Sequence, residues 1–187
     1  MNTTTPMSQI SPKLLVLTAI ILVLALLRIL PHPPNFTPIG AMALFGAAYF
    51  TNKKLAFIIP LGAMFISDLI LGFHGTMTFV YMSFILIGVI GLKLSGNVKT
   101  GRVIGSALIA SVLFFLVTNF GVWLMGNFYP KDFGGLMACY AAGLAFYQYS
   151  VFGSFFLNTV MGDLFFVSVL FGGYEFVKSR VPMLQTA

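Results

Sequence analysis

Arg28 and Asp68 carry opposite charges at corresponding ends of two apolar runs, and a carboxylate in such a setting persists only with a partner or with water. Other polar side chains fall at similar depth. His32 and Asn35 follow Arg28, His74 follows Asp68, and Tyr81 opens the next run. Asn119, Trp123 and Asn127 close a later run, Tyr140 lies beyond it, and Asn158 begins the last. The chemistry these types support is capture. Trp123, Tyr81 and Tyr140 would supply burial and stacking area, while Asn119, Asn127, Asn158 and His32 would orient a small molecule by hydrogen bonds. Asp163 sits in the middle of its run with no partner that the sequence names. It is expected to be protonated, hydrogen-bonded to Asn119 or a backbone carbonyl, or part of a proton or cation route.

Bond-making chemistry fits the residues less well. His32 and His74 lack the HxxxH or HExxH spacing that brings two imidazoles to one metal, so each reads as interfacial or hydrogen-bonded. The run SGNVKTGRV resembles a phosphate loop only up to its last glycine, after which Arg102 and Val103 replace the required Lys-Ser or Lys-Thr. The sequence has no nucleophile elbow, paired-cysteine spacing or dinucleotide fingerprint. Cys139, the single cysteine, cannot form an intramolecular disulfide. The expectation is a protein that is not an enzyme and takes neither metal nor cofactor.

The elements that must position these side chains follow from composition. With 59% hydrophobic and 7% charged residues, the chain has too few charges to coat a soluble domain. Its ten Lys and Arg are scattered between apolar runs and form no basic face, so nucleic acid is not expected as a partner. Apolar runs at 14–30, 39–50, 55–71, 77–92, 103–125 and 151–172 predict an all-α integral membrane bundle of six transmembrane helices. The second run is too short to cross ~30 Å of hydrocarbon unless it borrows length from its flanks.

Charge then orients the bundle. A cytoplasmic N-terminus puts Lys13, Lys53, Lys54, Lys93, Lys99, Arg102, Lys178 and Arg180 inside and leaves only Arg28 and Lys131 outside, as the positive-inside rule demands. The predicted organisation is a cytoplasmic tail over 1–13, one membrane domain over 14–177 and a second cytoplasmic tail over 178–187. The expected setting is a lipid bilayer crossed several times, with both termini cytoplasmic. Lys13 ahead of an apolar core would suit a signal peptide, but no small-residue cleavage pattern follows, so an uncleaved helix is expected. Residues 133–150 are apolar too. A span there would expel Lys178 and Arg180, and Tyr140, Tyr147, Gln148 and Tyr149 favour an interfacial helix in the outer loop after the fifth span.

The polar residues named above therefore gather on the outer side, next to the run RILPHPPNFTPIGAMALFGAAYF. Pro31, Pro33, Pro34 and Pro38 fix φ and forbid a continuous helix, so this first outer loop is a structured, proline-rich wall or lid. Gly40, Ala43, Gly46 and Ala47 have small-xxx-small spacing, with Gly88 and Gly91, then Gly101 and Gly105, further on. Such faces pack closely against a helix of the same chain or of a partner.

Six spans, cytoplasmic termini, a structured first outer loop and an aromatic-rich outer loop after the fifth span resemble the substrate-binding S component of energy-coupling-factor vitamin transporters. The run RILPHPPNFTPIGAMALFG, with SDLILGFHG and TNFGVWL, is also similar to an uncharacterised family of small bacterial membrane proteins grouped near those S components. That motif likeness transfers no binding residue. The S-component resemblance implies an outward-facing pocket roofed by outer loops and uptake of a vitamin-like small molecule without chemistry on it. It further implies docking on a transmembrane coupling subunit with its ATPases. S components that dock in this way often carry AxxxA in the first helix, and TAIILVLALLR lacks it. The competing expectation is a small membrane scaffold or assembly protein whose conspicuous residues are belt and packing features.

Overall fold

The structure, a computed structural model, describes residues 11–144 and 154–185. Regular structure among the described residues is entirely helical: α1 (Pro12–Leu27), α2 (Ile39–Tyr49), α3 (Lys53–Leu71), α4 (Met77–Leu92), α5 (Thr100–Met125), α6 (Phe133–Leu144) and α7 (Phe155–Arg180). By length and composition α3, α5 and α7 could each cross a membrane, while α1, α2, α4 and α6 are shorter apolar helices. A π-helical stretch, Ser168–Gly172, lies within α7. The helix runs past 172 to Arg180, and Lys178 on its last turn pairs with Glu175 at 3.3 Å. Residues 1–10 of the expected N-terminal tail, Tyr147, Gln148 and Tyr149, and the start of the run at 151 lie outside the described residues.

Prolines decide how the first two helices meet. After Arg28 the chain makes short turns in place of a helix, with Phe36 N–H donating to the Pro33 carbonyl and Thr37 N–H to the Asn35 carbonyl, both at 3.0 Å. Asn35 adopts φ 63°, a left-handed conformation that asparagine tolerates better than most residues. Pro38 bounds α2 on one side, and Phe50, extended at ψ 128°, bounds it on the other. So α2 does not borrow length; its 11 residues rise about 16 Å.

Every residue of α2 is buried. A helix apolar on all faces must be surrounded, and α1, α3, α4, α5 and α7 all pack on it. The small residues make this possible. A Cβ at Gly91 of α4 would stand 2.9 Å from the Leu44 backbone, and one at Gly46 would stand 3.0 Å from the Pro60 ring of α3. The small-residue face of α2 is thus consumed within the chain and offers nothing to a partner helix.

The exterior reverses the usual pattern. Ile58, Phe65, Ile66 and Leu69 on α3, Ile109 and Leu116 on α5, and Phe165, Val169 and Phe176 on α7 are all exposed. A surface this apolar is what hydrocarbon, not water, would solvate. At one end of the bundle Lys53 Nζ donates to the carbonyls of Ala47 (3.2 Å) and Phe50 (3.1 Å), where a cation satisfies the orphan carbonyls ending α2, and to Ser95 Oγ (2.8 Å). Tyr49 Oη donates to Glu175 Oε1 at 2.7 Å at that same end. The opposite end holds the proline connector.

Candidate functional site

A cavity of about 560 Å³ opens at the connector end. Arg28, His32, Asn35 and Thr37 come from the end of α1 and the connector, and His74 and Thr76 from the α3–α4 turn. Val80 of α4 and Phe114, Thr118, Asn119 and Val122 of α5 form a further wall, completed by Tyr129, by Cys139, Ala142 and Gly143 of α6, and by Phe155 of α7. Apolar walls with separated hydrogen-bonding groups suit a small organic solute. An opening of similar size between α4 and α5, about 530 Å³, is lined only by aliphatic side chains such as Leu86, Leu108 and Leu116, which could orient nothing.

The connector is held as a wall by three contacts to α7. Asn158 Nδ2 donates to the Pro34 carbonyl at 2.9 Å, Gly162 lets the Phe36 backbone approach to where a Cβ would meet it at 3.2 Å, and the Phe36 ring lies 5.8 Å and 5.6 Å from those of Phe165 and Phe166. His32 spans the corner, with Nδ1 2.9 Å from the Pro33 carbonyl and Nε2 3.3 Å from the Arg28 carbonyl. A neutral imidazole has one N–H, so it can serve only one of these acceptors at a time.

Arg28 and Asp68 do meet, Nη2 to Oδ1 at 2.9 Å, with side chains 11% and 6% exposed. Ser67 Oγ lies 2.5 Å from Arg28 Nη1, and Tyr81 Oη donates to Asp68 Oδ2 at 2.8 Å. The carboxylate therefore has two donors, from α1 and α4, and the guanidinium at the cavity wall is already neutralised. A solute there meets a paired arginine, so the cavity is not a bare anion trap.

Of the residues expected to line a site, Arg28, His32, Asn35, His74 and Asn119 border this cavity. Asp68 and Tyr81 stand behind Arg28, and Asn158 acts on the connector. Trp123 Nε1 donates to the Pro130 carbonyl at 2.8 Å, and its ring lies under Lys131, whose Nζ donates to the Trp123 and Gly126 carbonyls. That set fastens the α5–α6 corner. Tyr140 Oη donates to the Leu116 carbonyl at 3.0 Å, and Asn127 is exposed and does not line the cavity. Thr37, Thr76 and Thr118 were not foreseen. Threonine carries no distinctive sequence signal in a connector, a turn or an apolar run, and only their position at the cavity marks them. Cys139 is 2% exposed and donates to the Asn119 carbonyl at 3.4 Å; burial pushes its thiol up, which disfavours the thiolate that binds metals. Among the described residues no three His, Cys, Asp or Glu side chains gather to hold a metal.

Below the cavity, a smaller chamber of about 10 Å³ reaches Asp163. The acid is 3% exposed, and Ser111 Oγ stands 2.7 Å from its Oδ2. Asn119, the partner considered from sequence, donates instead to the Phe115 carbonyl one helical turn back.

The chain belongs to a family of unknown function, DUF6580, whose model matches residues 8–184. No curated protein and no solved structure matches it.

Proposed function

We propose that this member of DUF6580 is a six-span protein of the bacterial cytoplasmic membrane that captures a vitamin-like small molecule from the outer side, in the manner of an S component. The observation that carries the reading is the cavity at the connector end, of a size suited to a small organic ligand, with a wall built by prolines and pinned to α7. Orientation comes from charge. Eight of the ten Lys and Arg belong to the end opposite the cavity, which by the positive-inside rule faces the cytoplasm. Helix α6 then lies in the outer interface and contributes one wall of the pocket. The solute is oriented by His32, Asn35, Asn119 and the three threonines and is released unchanged. With α2 enclosed and no AxxxA in α1, a coupling subunit would have to dock on the outward apolar faces of the surrounding helices.

The test is to purify the protein from its host, identify any co-purified compound by mass spectrometry, and measure its binding to His32→Ala and Asn119→Ala beside a control, Phe128→Ala, whose side chain is 88% exposed. Weaker binding in the first two and unchanged binding in the control is the expected pattern. Repeated preparations with no bound compound would favour the scaffold alternative.

A further inference from the structure

Asp163 takes no part in the hydrogen bonding of the capture cavity, yet the structure keeps space for it. The chamber beneath the cavity holds room for about one water and shares Asn35, Thr37, Ile39 and Phe114 with the cavity above, so the two are neighbours through the same side chains. Gly40 of α2 clears the place of the carboxyl: a Cβ there would fall 3.0 Å from Asp163 Cγ. Among the described residues no lysine, arginine or histidine lines the chamber from the connector, α2, α4, α5 or α7. The titratable groups of the region, Arg28, His32, His74, Tyr129 and Cys139, all line the cavity above, and Arg28 is paired with Asp68.

The partner of Asp163 is arranged for two states. Ser111 Oγ lies 2.7 Å from Asp163 Oδ2 and 3.0 Å from the Ala107 carbonyl, and a hydroxyl has one proton to give. When Asp163 is ionised, Ser111 donates to the carboxylate. When it is protonated, the acid O–H donates to Ser111 Oγ and Ser111 turns its proton to the Ala107 carbonyl. Each state finds its hydrogen bonds without displacing a heavy atom.

We propose that Asp163 and Ser111 form a proton-binding site coupled to the capture cavity, such that occupancy of the cavity and protonation of Asp163 favour each other. The coupling is through hydration. A solute seated above excludes water from the side of the chamber bounded by Asn35 and Thr37, and a carboxylate cut off from water loses ground to the neutral acid. Linkage makes the effect reciprocal, so capture tightens as pH falls through the titration of Asp163.

This inference builds on the capture reading, but its test needs no natural ligand. Infrared pH-difference spectra of the full chain in lipid nanodiscs should show a carboxylic-acid carbonyl band that disappears as pH rises. The band should be lost in Asp163→Asn, shift in frequency in Ser111→Ala, and survive in His32→Gln with His74→Gln. If Asp163→Asn does not fold, the frequency shift in Ser111→Ala identifies the band instead. The cavity can be filled artificially by His74→Cys in a Cys139→Ser background, reacted with N-phenylmaleimide. The midpoint should then move to higher pH than in the unreacted protein. No band attributable to Asp163, or a midpoint indifferent to the adduct, overturns the proposal. A band that moves with the adduct in a protein that never yields a co-purified compound would uphold the proton site and count against capture of a tightly held ligand.

Discussion

Asn158 and Pro34 are joined across 124 positions of the chain by a hydrogen bond of 2.9 Å, from the buried amide of α7 to a carbonyl of the connector. Because the prolines make the connector stiff but do not say where it lies, this contact and the Phe36 packing set its position. Asn158→Ala should lower stability by about 1–3 kcal/mol, read as thermal unfolding in detergent, and should weaken ligand capture more than a control of equal stability cost distant from the connector. Equal losses of capture at equal stability would mean that the connector is not part of the site.

The Arg28–Asp68 pair is desolvated enough to couple. Removing either side chain alone leaves an unpaired charge and should cost about 3–5 kcal/mol, whereas removing both should cost clearly less than the sum. Tyr81→Phe should cost about 1.5 kcal/mol by deleting one donor to the carboxylate. Strict additivity in the double-mutant cycle would show that the two charges do not interact in solution.

Glycines test the enclosure of α2. Gly91→Ala forces a Cβ against the Leu44 backbone and should destabilise by about 1–3 kcal/mol, while Gly105→Ala, with open space around it, should be neutral or stabilising by up to about 1 kcal/mol. Chemical or thermal unfolding of the two variants side by side decides it. Matching losses would place α2 somewhere other than the centre.

Orientation can be read with reporter fusions. Fusions at Lys53, Gly96 and the C-terminus should report cytoplasm, and fusions at Asn35, Gly75 and Lys131 the outside. A C-terminus on the outer side would reverse or break the six-span reading.

How much of this was legible in the sequence depends on whether depth or direction is at issue. Arg28 and Asp68 could be paired from the sequence because both stand at the ends of apolar runs, where only a partner makes a carboxylate tolerable. Depth also brought His32, Asn35, His74 and Asn119 to one end, where they line a cavity. Direction around a helix axis was not readable in runs that are apolar on every side. Trp123 and Tyr140 lie toward the connector end but turn to the Pro130 and Leu116 carbonyls. The enclosure of α2 was only half visible: its glycines announced a close neighbour, but a span and a core helix share the same composition. The π-helical stretch in α7 left no signal beyond the paired Gly172 and Gly173.

The burial of α2 bears on how the chain is made. Its 11 residues are too few to rest stably across a bilayer alone, yet they leave the ribosome ahead of most of the helices that enclose them. Of its neighbours only α1 precedes it; α3, α4 and α5 follow, and α7 does not begin until Phe155, about a hundred residues after α2 ends. During synthesis α2 must therefore wait with most of its apolar surface uncovered until those later helices are made. The last wall translated also carries Asn158, so the wait for α2 and the setting of the connector end in the same event.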